Sequence, residues 1–482
     1  MYKAYITYVS NIRPAANADR LNACEVFGNT TIIDKSITEN DIVVYFPSDG
    51  QISVEFGEKN NLFRRKDDAG NNVGGFIDPT KRNITAIRLR GNRSDGLVLP
   101  ISCLNYCFAH GDASAELHVG DVIDGCVNGH EICCKYIPRR DPYHTYHSAH
   151  HRSKKPKTSI APLFAEHADT EQLAYNLSAF KPGDEIEISL KMHGTSQRTG
   201  FLPVLKRYKK SFLDWLLRRE GKPIYDWGYV SGTRRVVLEN YEGGYYGDNA
   251  FREPHSKFFE GKLWRGETVY YEVVGFTTTG APIMASADNS KLQDKEFIKQ
   301  YGKETVFSYG CAPDAYTTWK LDVDGSDMTL IGRTEQSDIY VYRMTMTNED
   351  GEVVEYTPDF MRYRCEQMGV KTVPVFFKGI IPQFADIMYV DKNDNDMPDE
   401  GEVTYTKPLD AGEWVMKMAE QFYDGADPIG KTHVREGVVV RIINRPKFCA
   451  YKLKNFSFKC LEGLVKVEAE APDMEEAQEI NE

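Results

Sequence analysis

Long apolar runs, a regular cysteine pattern and an excess of positive charge are all missing from this sequence. No apolar stretch reaches the roughly 18 residues that a membrane-spanning helix requires, so we expect no contact with a membrane. The start, from Met1 to Ile6, alternates like a strand and lacks the apolar core of a signal peptide. The ten cysteines form no repeating framework, which disfavours a disulfide-bonded scaffold and predicts a reduced, cytoplasmic protein.

The net charge of −12 argues against a protein that binds nucleic acid over its whole surface. It leaves room for local basic patches, which are what contact with phosphate requires. Part of the acidity lies in residues 466–482, which we predict to be a disordered tail. The rest of the 482-residue chain is long enough for roughly two to four packed domains.

The first two regions of the chain differ in character. Residues 1–130 consist of short strand-like runs such as 41–46, separated by turns, which predicts a small β-barrel or sandwich. Residues 131–159 mix basic side chains with tyrosines and four histidines, which is typical of a linker or of a loop that folds on nucleic acid. Metal binding stays open for these histidines and for the EF-hand-like run at 391–402, where Asp396 replaces the required glycine.

The stretch from Glu187 to Ser196 organises the third region, residues 160–465. Apolar residues alternate at 186, 188 and 190, which predicts a half-buried strand. Lys191 has the opposite parity, so its side chain leaves the apolar face. His193 and Gly194 follow, and the glycine lets the backbone approach whatever the lysine contacts. A strand that delivers a lysine into a polar pocket suits a lysine nucleophile.

Three later segments place charged or aromatic residues in strand-like settings. Arg234 and Arg235 follow a turn, and a phosphate is best held by a bidentate arginine, for which we favour Arg234. Glu272 is the single acid in an apolar and aromatic strand, and a buried carboxylate must be paired or functional. Tyr340 and Tyr342 share one face of another strand, either as a stacking surface or as ordinary core.

The last motifs lie near the end of this region. Glu436 opens an apolar strand, and Gly437 after it permits a close backbone. Lys452 and Lys454 are two residues apart on a strand, so both ammonium groups lie on one face and need an anion beside them. Earlier in the region, residues 205–222 have the spacing of a basic amphipathic helix, which could follow an RNA backbone or simply face solvent.

In this order, the motifs resemble those of the covalent nucleotidyltransferases, the superfamily of ATP-dependent ligases and capping enzymes. The Lys-x-His-Gly form is similar to the RNA-ligase branch. Residues 1–130 resemble the OB-like module ahead of the adenylyltransferase domain in Deinococcus/Naegleria-type RNA ligases, through Ile12-Arg13-Pro14, 18–21, 87–91 and 94–97. The resemblance implies an α+β fold class, with an N-terminal OB-like β-barrel and an ATP-grasp-like nucleotidyltransferase domain built on antiparallel sheets.

By the same resemblance, the protein is an ATP-dependent RNA ligase that seals 3′-OH and 5′-phosphate ends through a lysyl-AMP intermediate and an AMP-capped RNA. It implies ATP as substrate, Mg²⁺ or Mn²⁺ as cofactor, nicked or broken RNA as partner, and a monomer. The implied roles are catalysis by Lys191, Lys452 and Lys454; ATP or AMP binding by His193, Gly194, Glu272, Tyr340, Tyr342 and the same two C-terminal lysines; RNA 5′-phosphate binding by Arg234 and Arg235; and metal binding by Glu436 and Glu272.

Two departures from the family pattern keep other functions open. Leu190 stands where several relatives have an acid, which weakens the case for adenine, and no C-terminal OB module follows the motifs. A DNA ligase or GTP-dependent capping enzyme is one alternative, although these usually have aspartate in place of His193. A nucleic-acid-binding protein that kept the pocket and lost the chemistry is the other, and the retained Lys191 and Glu436 count against it.

Overall fold

The computed structural model describes residues 2–18, 21–66, 74–89, 91–136, 160–168, 170–212, 221–238, 240–242, 249–322, 324–325, 327–389 and 403–468. The chain divides into two compact units, both discontinuous in sequence. The first unit comprises Met1–Arg140, Ala287–Glu304 and Phe456–Pro472, and the second comprises Asp141–Ser286, Thr305–Asn455 and Asp473–Glu482. Strands dominate both units and helices are few, so the fold is mixed α and β. Among the described residues, no helix combines the length and apolar character needed to cross a membrane.

Short strands build the first unit. They span Ala4–Thr7, Ser10–Pro14, Leu21–Val26, Asn29–Asp34, Val43–Phe46, Gly50–Ile52, Asn83–Ile84, Ile87–Leu89, Asn92–Ser94, Leu97–Pro100, Val122–Ile123, Cys126–Val127, His130–Glu131, Cys133–Lys135, Ala287–Asp288 and, at its edge, Glu304–Thr305. The α-helices are Val54–Lys59, Lys295–Tyr301 and Phe456–Glu468, and the 3₁₀ helices are Ile101–Cys107, Ala113–Ala115 and Asn289–Leu292. In the sequence, residues 30–33 and 96–100 are strand-like runs of the same kind as 41–46. All three predicted strands are confirmed, with ends that differ by one or two residues.

These strands pair into several small sheets around one apolar core. A four-stranded sheet has the order Leu97–Pro100, Val43–Phe46, Ala4–Thr7 and Val122–Ile123. Its inward residues, including Ala4 and Ile6, are buried in the core that the helix Val54–Lys59 also covers. Because the paired strands are short and belong to separate open sheets, the described residues form no closed barrel, in contrast to the expectation for residues 1–130.

The last helix of the chain, Phe456–Glu468, belongs to the first unit. The ammonium of Lys459 makes an ion pair with the buried Asp95, 2.5 Å between Nζ and Oδ2. The guanidinium groups of Arg88 and Arg93 lie 5.9 and 5.2 Å from the ring centre of Phe456. Packing against this helix therefore accounts for part of the motif at 87–97. The sequence alone instead predicts that residues 456–465 of this helix belong to the region 160–465.

Longer strands build the second unit. They span Glu171–Gln172, Glu185–Lys191, Thr195–Lys209, Lys222–Gly232, Val237–Leu238, Glu267–Gly275, Tyr316–Leu321, Met328–Thr334, Ser337–Thr347, Val353–Glu355, Lys371–Thr372, Val375–Ile380, Phe384–Tyr389, Val403–Pro408, Gly437–Ile442 and Ala450–Lys454. The α-helices are Glu253–Lys257, Pro358–Met368 and Ala411–Glu420, and the 3₁₀ helices are Leu173–Tyr175, Leu177–Ala179 and Ala250–Arg252. In the sequence, residues 362–368 and 411–422 have the apolar spacing of helices, and the observed helices confirm this prediction.

One five-stranded sheet, here called the Lys191 sheet, has the strand order Glu171–Gln172, Ala450–Lys454, Gly437–Ile442, Glu185–Lys191 and Val375–Ile380. The predicted parity of the lysine strand is confirmed, because Ile186, Ile188 and Leu190 are at most 2% exposed. Ile186 and Ile188 pack in a core with Val415 of the helix Ala411–Glu420. Burial of this face leaves the side chain of Lys191 to the opposite face.

A seven-stranded sheet, here called the Glu272 sheet, contains the three longest described strands of the unit. Its order is Val237–Leu238, Lys222–Gly232, Thr195–Lys209, Glu267–Gly275, Ser337–Thr347 and Val353–Glu355, and Lys371–Thr372 pairs in parallel with Ser337–Thr347. Val269, Tyr271 and Val273 point into a core that the helix Pro358–Met368 covers. Glu272 and its neighbours of the same parity lie on the other face.

The prediction of a helix over 205–222 is wrong at both ends of that segment. Residues up to Lys209 continue the strand that begins at Thr195, and the next strand begins at Lys222. From the sequence alone, residues 281–330 are expected to be irregular. This expectation is wrong, because the stretch contains the helix Lys295–Tyr301 and most of the hairpin formed by Tyr316–Leu321 and Met328–Thr334. The predicted linker, the loop at 391–402 and the acidic tail lie mostly or wholly outside the described residues.

Candidate active site

Strand pairing brings the first and last sequence motifs together in the Lys191 sheet. Lys191 is paired with Gly437, and Gly437 is paired with Lys454 on its other side. Residues directly opposite each other in a sheet share a face, so the two lysines flank a position without a side chain. Lys452 pairs with Val439 and lies two residues from Lys454, on the same face.

Gly437 makes this approach possible. Its φ is +151°, and a Cβ atom there would lie 2.0 Å from the Leu453 carbonyl oxygen and 2.8 Å from the Lys454 Cα. Any residue with a side chain at position 437 would therefore push the strand Ala450–Lys454 away.

The carboxylate of Glu436 joins the two lysines. Its Oε1 atom lies 2.8 Å from Lys191 Nζ and 3.4 Å from Lys454 Nζ. The Glu436 side chain is 2% exposed, against 22% for Lys191, so the acid is the buried partner and the amine faces the opening. One carboxylate shared by two ammonium groups leaves a net positive cluster, which suits an anionic ligand.

The turn after Lys191 is held from two sides. The His193 backbone N–H donates to the phenol oxygen of the buried Tyr309 at 2.7 Å, and the His193 ring meets Phe307 edge-on, 4.6 Å between centroids. His193 Nδ1 lies 3.7 Å from Glu436 Oε2. Burial raises the pKa of Tyr309 well above its ordinary value, so its phenol stays protonated.

Gly194 carries the turn against the Glu272 sheet. A Cβ atom on Gly194 would lie 2.8 Å from Glu272 Cγ and 2.5 Å from the Val273 carbonyl oxygen. Consecutive residues of one turn thus contact Glu436 on one side and Glu272 on the other. The two acids predicted to bind metal border the same short segment.

The Glu272 sheet contributes one acid with hydroxyl and aromatic groups. Ser196, Glu272 and Tyr340 are directly opposite one another on three neighbouring strands. A bulge follows Tyr340, and the hydroxyl of Tyr342 lies 2.9 Å from Ser196 Oγ. Tyr340 is only 5% exposed, and burial raises its pKa, whereas Tyr342 is half-buried. Tyr342 therefore offers more ring surface to a ligand than Tyr340 does.

Arg234 and Arg235 lie on a tight turn that Arg198 supports. The buried Arg198 side chain donates to the backbone carbonyls of Thr233 and Arg235, at 3.0 and 3.3 Å, and the turn is closed by the Thr233 N–H bonding to the Val236 carbonyl. Arg235 is exposed and Arg234 half-buried. Both hold defined positions, but neither makes a described contact with Lys191.

Two arginines that the sequence did not single out, Arg343 and Arg198, lie around His167 together with Arg234. Burial, and then the charges of Arg343, Arg234 and Arg198, hold the pKa of His167 well below its ordinary value. Arg343 Nη1 lies 3.2 Å from His167 Nδ1, which as the acceptor fixes the neutral tautomer. The His167 ring contacts Tyr342 edge-on, 5.0 Å between centroids. An arginine at the end of the strand predicted over 339–343 was the available signal for Arg343, whereas Tyr309 had none.

The acidic side chains of the site can bind a metal ion only if water and a bound substrate supply the remaining ligands of that ion. Within the described residues, no group of three histidine, cysteine or acidic side chains is arranged to hold an ion. Mg²⁺ is commonly bound by one or two carboxylates together with water and substrate phosphates. Glu436 and Glu272, on the two sides of the His193–Gly194 turn, match that smaller set.

No family model matches the chain, and no curated protein matches it. Among solved structures, the chain is similar to RNA ligases. These include Naegleria gruberi RNA ligase with AMP and manganese, at 16% identity over 95% of this chain and 97% of that chain, with a TM-score of 0.49. The same ligase with PPi shows 15% identity over 96% and 98% of the two chains, and a TM-score of 0.49. Because these scores lie below 0.5, the functional interpretation depends on the geometry of the site alone.

Proposed function

We propose that this protein is an ATP-dependent RNA ligase that joins 3′-OH and 5′-phosphate ends through a lysyl-AMP intermediate. The observation that carries the proposal is the pairing of Lys191 with Gly437 and Lys454 around the buried carboxylate of Glu436. A lysine at a strand end, oriented by an acid and flanked by a second lysine, is equipped to attack a phosphate and to bind it.

In the first step, Lys191 Nζ attacks the α-phosphorus of ATP. An N–P bond forms, the bond from the α-phosphorus to the bridging oxygen breaks, and pyrophosphate leaves. The amine must release its proton to attack, and the Glu436 carboxylate at 2.8 Å is the acceptor within reach. Lys452 and Lys454 offset the charge that develops on the phosphate oxygens.

Other residues bind and position the ligands. Glu436 and Glu272 would hold Mg²⁺ or Mn²⁺, which when bound neutralises phosphate charge. Glu272 alternatively binds the ribose, and Tyr342 or Tyr340 stacks on the adenine. The buried Tyr309 keeps the His193–Gly194 turn in place beside the nucleotide.

The RNA would be bound by other parts of the chain. Arg234, in preference to Arg235, would hold the RNA 5′-phosphate, since a guanidinium can bond two phosphate oxygens at once. The first unit, as an OB-like module, would bind the nucleic acid. In the second step the AMP passes to the RNA 5′-phosphate, and in the third the 3′-OH attacks and AMP is released.

Incubation with α-labelled ATP or GTP tests the first step. We expect labelled protein from ATP, none with Lys191→Ala, and a large loss with Glu436→Gln, which removes the charge at nearly constant shape. Lys378→Ala is the control, because Lys378 lies on the neighbouring strand of the same sheet and pairs with Asp359. Label from GTP alone favours a capping enzyme, and no label from either nucleotide contradicts the proposal.

Sealing of nicked RNA and DNA duplexes then tests the substrate. The proposal predicts a joined product from an RNA nick with 3′-OH and 5′-phosphate ends, and accumulation of AMP-capped RNA when the 3′-OH is removed. A preference for DNA at both strands of the nick would replace this function with that of a DNA ligase.

A further inference from the structure

Two long strands of the Glu272 sheet, Thr195–Lys209 and Lys222–Gly232, continue beyond its other strands as a basic hairpin. We define the basic arm as Arg207, Lys209 and Lys210 on the first strand and its end, and Lys222 on the second. We propose that the basic arm is a binding surface for the phosphate backbone of duplex RNA, remote from the site of chemistry. This proposal rests on the proposed function, because it identifies how the same enzyme holds its substrate.

The four side chains of the basic arm are exposed cations. None of them makes an ion pair with a residue in the described part of the chain. The neighbouring Lys206 shows the contrast, because it pairs with Asp226 across the hairpin. In a chain whose net charge is −12, four cations on one hairpin, unpaired among the described residues, form a local field that attracts polyanions.

The register of the hairpin brings like charges together. Lys209 lies directly opposite Lys222 in the antiparallel pair, and Arg207, two residues before Lys209, lies on the same face. Like charges directly opposite each other destabilise a strand pair. An anion between or above them removes this repulsion, so the face is better matched to a row of phosphates than to solvent alone.

The distance between the basic arm and the candidate active site sets the minimum length of a duplex that contacts both. The first strand begins at Thr195, four residues after Lys191, and reaches Arg207 twelve residues later. At about 3.3 Å per strand residue, Arg207 lies up to about 40 Å and Lys209 up to about 46 Å along the strand from the candidate active site. A-form RNA rises less per base pair than the roughly 3.4 Å of B-form DNA, so a duplex bound at both places must extend at least about twelve base pairs to one side of the nick.

Duplex RNA is the occupant that these observations favour. The same strand runs from the nucleotide site to the cations, so a polyanion that undergoes chemistry at one end is available to the other. Anionic lipid and the chain's own acidic residues 469–482 carry the same sign of charge and are separate outcomes of the test.

The test measures binding of a nicked RNA duplex without ATP, so that affinity does not depend on self-adenylylation. Fluorescence anisotropy is recorded between 50 and 200 mM KCl, a range over which about three phosphate contacts change affinity strongly. The flanks beside the nick have either about 6 or about 24 base pairs, below and above the reach estimated from strand geometry. The variant is Arg207→Ala/Lys209→Ala/Lys222→Ala in the full chain.

For the long duplex, we expect the variant to reduce the steepness of the fall of log affinity with log salt by about 2 to 3. The affinity near 100 mM KCl should decrease roughly tenfold. The short duplex should change less than about twofold, since it cannot reach the arm. Arg207→Lys/Lys209→Arg/Lys222→Arg should retain wild-type affinity, because a phosphate contact needs the charge. Labelling from ATP should be unchanged in both variants.

A matched control separates local contact from net charge. Lys257→Ala/Lys320→Ala/Lys417→Ala removes the same charge from exposed positions elsewhere in the second unit. The inference is overturned by an equal loss in this control, by equal losses for the two duplexes, or by an unchanged salt slope.

Two further measurements exclude the other occupants. The inference is also overturned if binding to phosphatidylserine vesicles, and not binding to RNA, requires the three side chains. A third contrary result is that deleting 469–482 abolishes the effect of the triple variant on RNA binding. Absence of labelling from ATP together with intact, arm-dependent RNA binding would overturn only the proposed function.

Discussion

The Lys191 sheet and the Glu272 sheet contribute to the candidate site in different ways. The Lys191 sheet supplies two lysines that share one buried carboxylate, across a glycine that brings its strands unusually close. The Glu272 sheet supplies one acid in a row with a serine and a tyrosine, and then extends away into the basic arm. Charge is concentrated in the first sheet and spread along the second.

This difference separates bond making from ligand positioning. In the Lys191 sheet, a shift of a few tenths of an ångström alters distances between charged atoms, so small changes should affect rate. In the Glu272 sheet, the hydroxyl and aromatic contacts can be lost one at a time, so changes should affect affinity or stability. The following predictions test that division.

The largest effect is expected from a glycine in the Lys191 sheet. Gly437→Ala places a Cβ atom 2.0 Å from the Leu453 carbonyl oxygen, so the strand that carries Lys454 must move. Because a misplacement of about 1 Å can cost about 100-fold, we expect self-adenylylation to slow by about that factor. Gly228→Ala in the Glu272 sheet is the control, since its Cβ would make only a 3.4 Å contact with Val204. Similar rates for the two variants would remove the distinction.

A smaller loss is expected when the turn between the sheets loses one hydrogen bond. Tyr309→Phe keeps the ring and leaves the His193 N–H without its 2.7 Å acceptor. An unpaired buried donor costs about 1 to 3 kcal/mol, so the rate of labelling from ATP should fall about tenfold. Tyr271→Phe removes a comparably buried hydroxyl, bonded to Thr199 at 2.9 Å, and should lower the free energy of unfolding without changing this rate. Equal rate losses would contradict the prediction.

Substitutions of Tyr342 and Tyr340 in the Glu272 sheet should change different properties of the protein. Tyr342→Leu should weaken ATP binding about fivefold, since base stacking on an aromatic ring contributes at least about 1 kcal/mol. Tyr342→Phe should restore the affinity, because it loses only the bond to Ser196. Tyr340→Leu should lower the melting temperature and leave the ATP affinity nearly unchanged, because Tyr340 is only 5% exposed. The reverse pattern, measured by titration calorimetry, would assign the stacking role to Tyr340.

The smallest effect concerns stability rather than activity. Burial, aided by the charge of Arg252 and opposed by Asp338, lowers the pKa of His255 to about 4. Neutral His255 therefore stabilises the fold above pH 6.5, and this contribution is lost as the pH falls from about 6.5 to about 4, by at most about 3 kcal/mol. His255→Asn should flatten the dependence of unfolding free energy on pH in that window, measured with urea. His118→Asn, at an exposed position, should leave the curve unchanged.

The motif strands could be predicted because each combines a parity with one unusual residue. The alternation of Ile186, Ile188 and Leu190 fixed the face of Lys191, and the observed burial confirms it. What the sequence could not provide is the register. Only the paired strands reveal that Gly437 lies between Lys191 and Lys454 and that Glu436 reaches both.

Failures occurred where distant pairing overrides local spacing. The cations of 205–210 match a helical period, yet this segment is strand because Lys222–Gly232 pairs along its length. Tyr309 lies in a stretch without periodicity and has a φ of +48°, so no local pattern indicated its role. Its contact with His193 joins residues 116 positions apart.

The discontinuity of the first unit has a consequence for how the protein is made. Its last segment, Phe456–Pro472, is translated after residues 141–286 and 305–455 of the second unit. The ion pair between Asp95 and Lys459 can therefore form only after most of the second unit has been synthesised. A truncation that removes residues 1–130 would also deprive 287–304 and 456–472 of the partners with which they fold.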